Sequence, residues 1–329
     1  MKKSLRFLAL GASLGATVLV LSAAARTSEA AQRRSFRRLQ PAAQDLNLSL
    51  HSVDSGGMTR WYRVSQPPVT ASGGPYPVVV MFHGGGGNAL QAAGAYGVGE
   101  EAAKRGYLAV FPEGTGVFGG PPLFKLETWN AGGCCAWSAE NDVDDVGFFA
   151  DMLVALQSDY AIDPARVFVT GMSNGAMMTY RIAAERPDLI AGAAPVEGSN
   201  EAGAPTGPVP MLAIHGLLDD NVPFEGGYGT GVAGVPFTSQ LESILPFVEQ
   251  NGGTLPAAPL VFGQAQIFIA PKQVGDPDGA DTLYMLALDG GHSWPGTAVP
   301  PVLQPLEPIH HDVPATPLMF DFFDFVSGG

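Results

Sequence analysis

Short runs of β-branched and other apolar residues alternate along the chain with longer segments of helical periodicity. Such runs, bounded by Gly, Pro or Asn, predict strands, and apolar positions that recur every three or four residues predict helices. About eight strands are expected, at 46–53, 59–65, 78–82, 108–111, 167–170, 190–196, 211–215 and 282–288. Helices are expected at 89–105, 146–158, 174–185, 240–250 and 318–326.

The order of these elements predicts the topology of the sheet. Because strands alternate with helices from residue 78 onward, the sheet should be mostly parallel and covered by helices on both faces. Only a short turn containing Ser55, Gly56 and Gly57 separates the first two strands, so an antiparallel hairpin should open the sheet. No internal repeat interrupts the pattern, which predicts one α/β domain over 46–329.

The N-terminal segment has a different composition. It begins with the basic residues Lys2 and Lys3 and continues with an uncharged stretch at 7–25 that ends in small residues. This pattern is typical of a secretory signal peptide, which we place at 1–31, with a flexible leader at 32–45. The protein is therefore expected to be secreted, to the extracellular space or the periplasm. A membrane anchor remains the alternative if the signal is not cleaved, since about 20 apolar residues span a bilayer.

Composition and charge narrow the range of partners. The chain has 329 residues, of which 46% are hydrophobic and 15% charged, so it can bury a large core and does not resemble a disordered protein. Its formal net charge is -14, with 17 Lys and Arg residues. Nucleic-acid binding requires clustered basic side chains, so no nucleic-acid partner is expected.

A nucleophile motif lies in the sequence Gly171-Met172-Ser173-Asn174-Gly175. It falls directly between the predicted strand 167–170 and the predicted helix 174–185, which is the setting of a nucleophile elbow. Glycines on both sides of Ser173 permit a turn so tight that its hydroxyl is exposed above the sheet. The alternative is a glycine-rich turn without chemistry.

A glycine-rich loop, His83-Gly84-Gly85-Gly86-Gly87-Asn88, follows the apolar strand 78–82. Consecutive glycines let backbone amides point at one spot, as the stabilisation of a tetrahedral oxyanion requires. We expect the amides of Gly84 or Gly85 and of Asn174 to form this oxyanion hole. A phosphate-binding loop is the alternative, but the accompanying nucleotide-binding motifs are missing.

The candidate base is His292. It follows the predicted strand 282–288 through Asp289-Gly290-Gly291, at the carboxyl end of a strand where ligands bind in open α/β sheets. His310 and His311, in a proline-rich segment, are alternatives.

The carboxylate that orients this base is expected after the strand 211–215. Asp219 and Asp220 both lie there, and either could fix the tautomer of His292 and stabilise its protonated ring. We prefer Asp219. The order Ser173, Asp219, His292 along the chain is the one found in α/β-hydrolases.

Together these motifs resemble one family. The chain is similar to the secreted α/β-hydrolase esterases that include polyhydroxybutyrate depolymerases, feruloyl esterases and acetylxylan esterases. The matching stretches are 79–88, 129–132, 134–135, 141–148, 171–175, 215–216 with Asp219, 222–223 and 290–296. The resemblance implies the α/β-hydrolase fold, an acyl-enzyme mechanism without cofactor or metal, and Asp219 as the catalytic acid. Leu217 and Leu218 depart from the smaller or polar residues of the family pattern, which leaves the substrate preference open.

The two cysteines of the chain, Cys134 and Cys135, are adjacent. They cannot link distant segments, and both a vicinal disulfide and a pair of buried thiols remain open.

An acidic cluster follows at Asp142, Asp144 and Asp145, just before a predicted helix. Helix capping is favoured there over cation binding.

Aromatic residues could shape a substrate pocket. Trp294 lies two residues beyond the candidate base, and with Trp129 and Phe118 it is a candidate to line a site for an aromatic or apolar acyl group. Each could equally be a core residue.

The sequence therefore favours a secreted carboxylic ester hydrolase. Its substrate would be a small ester, an oligomer or an esterified polysaccharide side chain. Two other classes remain open, a serine peptidase on the same fold and a catalytically silent binding protein, because a fold does not dictate function.

Overall fold

The computed structural model describes residues 47–68, 75–116, 127–231, 233–297 and 307–328. The predicted signal peptide, the leader and Phe118 lie outside these residues. The strands within them are β1 (Leu48–Ser55), β2 (Met58–Ser65), β3 (Tyr76–Phe82), β4 (Leu108–Pro112), β5 (Ile162–Met172), β6 (Gly192–Val196), β7 (Met211–Gly216), β8 (Gly227–Tyr228), β9 (Pro236–Phe237), β10 (Leu260–Phe262), β11 (Ala265–Ala270) and β12 (Thr282–Ala287). The α-helices are α1 (Ala89–Ala95), α2 (Val98–Arg105), α3 (Ala136–Glu140), α4 (Asp145–Asp159), α5 (Asn174–Glu185), α6 (Gln240–Gln250) and α7 (Ala315–Val326).

One large mixed sheet organises the fold, with strand order β1-β2-β4-β3-β5-β6-β7-β12-β11-β10. The central strands from β4 to β12 pair in parallel, and the outer strands pair antiparallel. The predicted opening hairpin is confirmed: β1 pairs with β2 through Gly56 and Gly57, whose φ values of 57° and 76° suit glycine.

Two details of the prediction were wrong. The sheet has ten strands rather than about eight, because β10 and β11 form a hairpin that extends it beyond β12. The helix predicted at 89–105 is two helices, α1 and α2. Gly97 separates them in the left-handed conformation, with φ of 69°, which an uninterrupted α-helix does not accommodate.

Alternate side chains of the central strands pack on opposite faces of the sheet. On β3, Val78, Val80 and Phe82 join one core cluster, whereas Val79 and Met81 join another. Helices α4, α5 and α6 cover the first face, and α1, α2 and α7 cover the second. The expectation of helices on both faces is confirmed. Among the described helices, none is both long and apolar enough to cross a bilayer.

The parallel strands β3, β5, β6, β7 and β12 are consecutive neighbours in the sheet. The residues that follow their carboxyl ends therefore meet along one edge of the sheet. His83 follows β3, Ser173 follows β5, Glu197 follows β6, Asp219 follows β7 by a short turn, and His292 follows β12 by a short loop. We therefore expect the functional site at this edge of the sheet.

Candidate active site

Ser173 lies in a sharp turn between β5 and α5. Its φ of 57° and ψ of -123° are strained for a residue with a side chain, and such strain is concentrated at functional positions. The flanking glycines are required by space. A Cβ on Gly171 would lie 2.3 Å from the Gly175 carbonyl oxygen, and a Cβ on Gly175 would lie 2.3 Å from that of Phe82.

The three predicted residues form one hydrogen-bonded chain. The Nε2 atom of His292 lies 2.9 Å from the Ser173 hydroxyl oxygen, and its Nδ1 lies 2.8 Å from Oδ2 of Asp219. His292 is partly exposed, with 15% of its side chain accessible, whereas the Asp219 side chain is fully buried. The site therefore combines a reachable hydroxyl, a ring that can accept its proton and a carboxylate shielded from water.

Asp219 is held as an anion by its surroundings. Its Oδ1 accepts hydrogen bonds from the main-chain N–H groups of Asn221 and Val222, both at 2.8 Å. Burial alone would raise the pKa of Asp219, but the hydrogen bond and charge of His292 outweigh it, and the pKa is lowered. Asp219 therefore remains ionised near neutral pH and can stabilise a protonated His292.

The glycine-rich loop lies directly beside the nucleophile. A Cβ on Gly84 would be 3.6 Å from the Cβ of Ser173, and a Cβ on Gly85 would be 3.6 Å from the Cβ of Asn174. Within the described part of the chain, the N–H groups of Gly85 and Asn174 donate to no protein acceptor. These amides are available to a ligand atom next to Ser173.

His83 fixes the start of this loop. Its Nε2 accepts the N–H of Gly114 at 3.0 Å, so Nδ1 carries the proton and donates to the carbonyl oxygen of Gly84 at 2.8 Å. Complete burial lowers the pKa of His83 to about 4, which keeps the ring neutral. Its function in the structure is to hold the loop.

Trp129 and Trp294 do not have the position expected for pocket-lining residues. Trp129 is fully buried, and its indole N–H donates to the His83 carbonyl oxygen at 2.9 Å. Its main-chain N–H donates to the Asn174 side-chain oxygen, and its carbonyl oxygen accepts from the Asn174 side-chain amide. Trp294 is 2% exposed, stacks on Tyr96 and donates to a threonine hydroxyl. The contacts of Trp129 support the turn and the glycine loop, and neither side chain offers appreciable surface to a substrate.

The alternative bases have other surroundings. His310 is buried, with Nδ1 2.5 Å from a carboxylate oxygen of Asp289 and Nε2 accepting the Val313 N–H. His311 is exposed. Among the described histidines, His292 is the one that hydrogen-bonds to Ser173.

The acidic cluster divides into distinct structural functions. Asp144 caps α4 by accepting the Gly147 N–H at 2.7 Å, as the capping prediction requires. Asp145 is buried and pairs with Arg60 at 2.7 Å. Sequence patterns gave no sign of this ion pair, because the two residues lie on distant segments of the chain.

Cys134 and Cys135 form a disulfide, so the vicinal alternative is the observed one. They belong to a small apolar cluster with Met177, Val222 and Phe237. Met177 lies one turn after Ser173 on α5, and Val222 follows Asp219. The disulfide therefore packs directly behind the candidate site.

Two groups of side chains within the described residues bring three possible metal-binding atoms within 4.8 Å of one another: His83 with Glu113 and Glu127, and Glu197 with His215 and Asp219. In each group a histidine nitrogen already bonds to the main chain, His83 Nε2 to Gly114 and His215 Nε2 to Val222. We assign neither group as a metal site.

Sequence reasoning missed Glu307. Its carboxylate accepts hydrogen bonds from the main-chain N–H of His292, from that of Asp220 at 3.3 Å, and from the Asn221 amide at 2.5 Å. It therefore links the loop of the candidate acid to the loop of the candidate base. No motif marks it, because it lies in the proline-rich segment, 15 residues after His292 and 86 residues after Asn221.

Glu197 was also missed. It is completely buried directly after β6 and has a φ of 52°. A glutamate within an otherwise apolar and small-residue stretch was the available signal in the sequence.

Comparisons with known proteins agree with this architecture. The Dienelactone hydrolase family model matches residues 66–227, which include Ser173 and Asp219. The chain is 28% identical over 278 residues to the protein named "Putative esterase NocK" of Nocardia uniformis subsp. tsuyamanensis, covering 78% of this chain and 76% of that one.

Two further relatives are larger than this chain. Feruloyl esterase B of Piromyces equi is 29% identical over 49% of this chain and 30% of its own length, and Poly(3-hydroxyalkanoate) depolymerase C of Paucimonas lemoignei is 31% identical over 37% and 28%. The chain thus spans less than a third of these two relatives.

Among solved structures, acetyl xylan esterase from Aspergillus awamori matches with a TM-score of 0.53 and 18% identity, over 84% of this chain and 99% of that one. This likeness concerns the fold, which is that of the α/β-hydrolases. The family match over residues 66–227 and the relatives named as esterases identify the chain as an esterase of the dienelactone hydrolase and α/β-hydrolase type.

Proposed function

We propose that the protein is a secreted serine esterase that hydrolyses carboxylic esters through an acyl-enzyme, with Ser173 as nucleophile, His292 as general base and Asp219 as the orienting acid. The observation that carries this proposal is the chain of hydrogen bonds at 2.9 Å and 2.8 Å from Ser173 through His292 to Asp219. Secretion is supported by the signal-like N-terminus.

In the first half of the reaction, His292 Nε2 takes the proton of the Ser173 hydroxyl as its oxygen attacks the ester carbonyl. The negative charge that develops on the carbonyl oxygen is stabilised by the N–H groups of Asn174 and of Gly85 or Gly84. The protonated His292 then gives its proton to the leaving alcohol, and the acyl group remains on Ser173.

In the second half, His292 takes a proton from a water molecule that attacks the acyl-enzyme. The carboxylic acid leaves as the C–O bond to Ser173 breaks, and His292 returns the proton to the serine oxygen. Every proton is transferred by the side chains of this site and water, so the steps require no cofactor.

The substrate class is proposed from the relatives. Feruloyl esterases and a polyhydroxyalkanoate depolymerase are among them, so methyl ferulate, a short-chain nitrophenyl ester and a soluble 3-hydroxybutyrate oligomer are the informative substrates. Preference for ferulate would indicate a plant-polysaccharide esterase, and preference for the oligomer would indicate a polyester hydrolase.

The test compares the purified protein with Ser173→Ala and Asp219→Asn on these esters. Ser173→Ala should lower kcat by a factor on the order of 10⁶, and Asp219→Asn by about 10⁴, because an amide at this position favours the wrong tautomer of His292. Thermal unfolding of each variant controls for misfolding. Substantial turnover by folded Ser173→Ala, or no turnover of any ester by the unmodified protein, would refute the proposal.

A further inference from the structure

A second buried carboxyl group lies behind the candidate acid. Glu197 follows β6, the strand between β5 and β7, and its side chain is completely shielded from solvent. Its φ of 52° is in the left-handed region, which residues with a Cβ avoid. A glycine would relieve this strain, so a glutamate in this conformation points to a function for the carboxyl group.

The contacts of Glu197 account for only one of its oxygens. Oε2 accepts the main-chain N–H of Gly216 at 2.8 Å and lies 3.5 Å from His215 Nδ1. Oε1 is buried and has no hydrogen-bonding donor among the described residues. The carboxyl group lies close to Asp219, because the two acids and His215 present oxygen or nitrogen atoms within 4.8 Å of one another.

The neighbouring charges decide which acid carries a proton. Asp219 has donors for both of its oxygens, two main-chain N–H groups and the His292 ring, whereas Glu197 has one main-chain donor. His215 offers no positive charge, since burial lowers its pKa to about 4. Two adjacent buried carboxyl groups cannot both ionise without a large penalty. Asp219 accepts more hydrogen bonds than Glu197, so the negative charge is more stable on Asp219.

Among the described residues, the remaining groups around Glu197 add no compensating cation. Burial raises the pKa of Glu197 well above its usual value, and the negative charges of Asp219 and Glu307 act in the same direction. Tyr284 is also close, and burial raises its pKa, so it is neutral.

We propose that Glu197 is a protonated positioning residue, whose Oε1–H donates a hydrogen bond to the Asp219 carboxylate and holds that carboxylate against His292. This inference rests on the proposed serine esterase function. It explains why Oε1 finds no donor, since a protonated oxygen is itself the donor. It also supplies a hydrogen bond to the triad acid without adding a second negative charge to the buried cluster.

The first test compares Glu197→Gln and Glu197→Ala with the unmodified protein in kcat and in kcat/KM over about pH 5 to pH 9. An amide keeps an acceptor for Gly216 and an N–H donor for Asp219, whereas alanine has neither; the left-handed φ strains all three residues alike. Loss of a hydrogen bond to a charged group should lower kcat of Glu197→Ala by about tenfold or more. Glu197→Gln should restore kcat to within about threefold and keep the acid limb of the profile at the same pH.

Two results would overturn the proposal. Folded Glu197→Ala with the kcat of the unmodified protein would exclude a positioning function. An acid limb of Glu197→Gln displaced downward by roughly one pH unit would mean that the substitution removes a negative charge, so that Glu197 is ionised in the unmodified protein. If Glu197→Ala fails to fold, the Glu197→Gln profile carries this test alone.

The second test measures stability and is independent of turnover. Two proteins are compared between about pH 5.5 and pH 8: the Ser173→Ala variant, which keeps Glu197, and the double variant that also carries Glu197→Gln. The quantity compared is the Tm of each protein. Unfolded glutamate releases its proton above about pH 4.3, while folded Glu197 keeps it, so the stability of the glutamate protein should fall with pH relative to the glutamine protein. A constant Tm difference would overturn the protonated assignment even if the esterase proposal holds.

Glu242→Gln is the matched control. Glu242 is exposed, and hydrogen bonds from the Ser239 side chain and main chain lower its pKa. Its contribution to stability is therefore complete above about pH 5, and the Tm difference between glutamate and glutamine at this position should stay flat from about pH 5.5 to pH 8.

Discussion

The variant Glu307→Ala tests whether Glu307 aligns the loops that carry Asp219 and His292 or only stabilises the fold. The carboxylate of Glu307 receives the N–H of His292, the N–H of Asp220 at 3.3 Å and the Asn221 amide at 2.5 Å. Alanine removes all three bonds, and among the described side chains the only other link between these two loops is the hydrogen bond between Asp219 and His292 itself. The expected effect is a loss of alignment between Asp219 and His292.

The magnitude follows from the geometry. The 3.3 Å bond is at the weak end of the hydrogen-bond range, so two strong bonds remain, each worth about 1.5 kcal/mol when the acceptor is charged. Because Glu307 is only half-buried, water can replace part of this, and we expect a net loss of about 2 kcal/mol. For a domain of this size, with an unfolding entropy of about 2.1 cal/mol/K per residue, the Tm should fall by about 3 to 4 °C. A displacement of His292 by about 1 Å would lower kcat by about 100-fold.

The assay is kcat and KM on a short-chain nitrophenyl ester, together with a thermal melt. Asp312→Ala is the matched control. Asp312 also accepts a main-chain N–H at 2.7 Å, from Gln264, and Gln264 lies in the turn between β10 and β11. It should lower the Tm without changing kcat. The reasoning would be refuted if Glu307→Ala lowered the Tm by the expected amount while its kcat stayed within about twofold of the control, since a 1 Å misalignment predicts far more.

Two further predictions concern the scaffold of the site. Gly175→Ala should prevent accumulation of soluble protein or lower its stability by more than about 4 kcal/mol, since the new Cβ would lie 2.3 Å and 2.5 Å from the main-chain oxygens of Phe82 and His83; a chemical denaturation curve close to that of the unmodified protein would contradict this. Arg60→Met should cost about 3 to 5 kcal/mol, because it leaves Asp145 buried without its partner. Burial already raises the pKa of Asp145. Without Arg60 its pKa should rise further, so the loss of stability should increase with pH, and equal losses at about pH 5 and pH 8 would argue against an unpaired carboxylate.

The parts of the site that sequence could predict are those specified by local backbone requirements. Gly171 and Gly175 are needed because a Cβ at either position would collide with main-chain oxygen or carbon atoms, and such a need is visible in a five-residue motif. The position of His292 after β12 follows from topology, because parallel strands deliver their carboxyl ends to one edge. Both inferences depend on the order of elements along the chain.

The parts that sequence could not predict depend on contacts between distant segments. Strands β10 and β11 are an example. β10 has only three residues, and β11, with the sequence AQIFIA, is only partly buried, so neither shows the fully buried apolar run of the central strands. Trp129 has the residue type of a substrate-binding side chain, yet its indole N–H is required by the His83 carbonyl oxygen. Only the tertiary structure distinguishes these functions, because the same residue type serves both.

The carboxyl groups around His292 differ in what they bind, and this difference explains why three acids can share one small site. Glu307 binds the main chain of His292, so its negative charge is balanced by N–H dipoles at the half-buried surface of the site. Asp219 binds the ring and is balanced by the proton that the ring carries during the reaction. Glu197 has no positively charged partner among the described residues and is shielded from solvent, and in such a position an acid is stable only when it is neutral. The proton that His292 carries is then stabilised by one anion in direct contact with the ring, Asp219. Of the other two carboxyl groups, Glu197 fixes the position of Asp219, and Glu307 fixes the position of the His292 main chain.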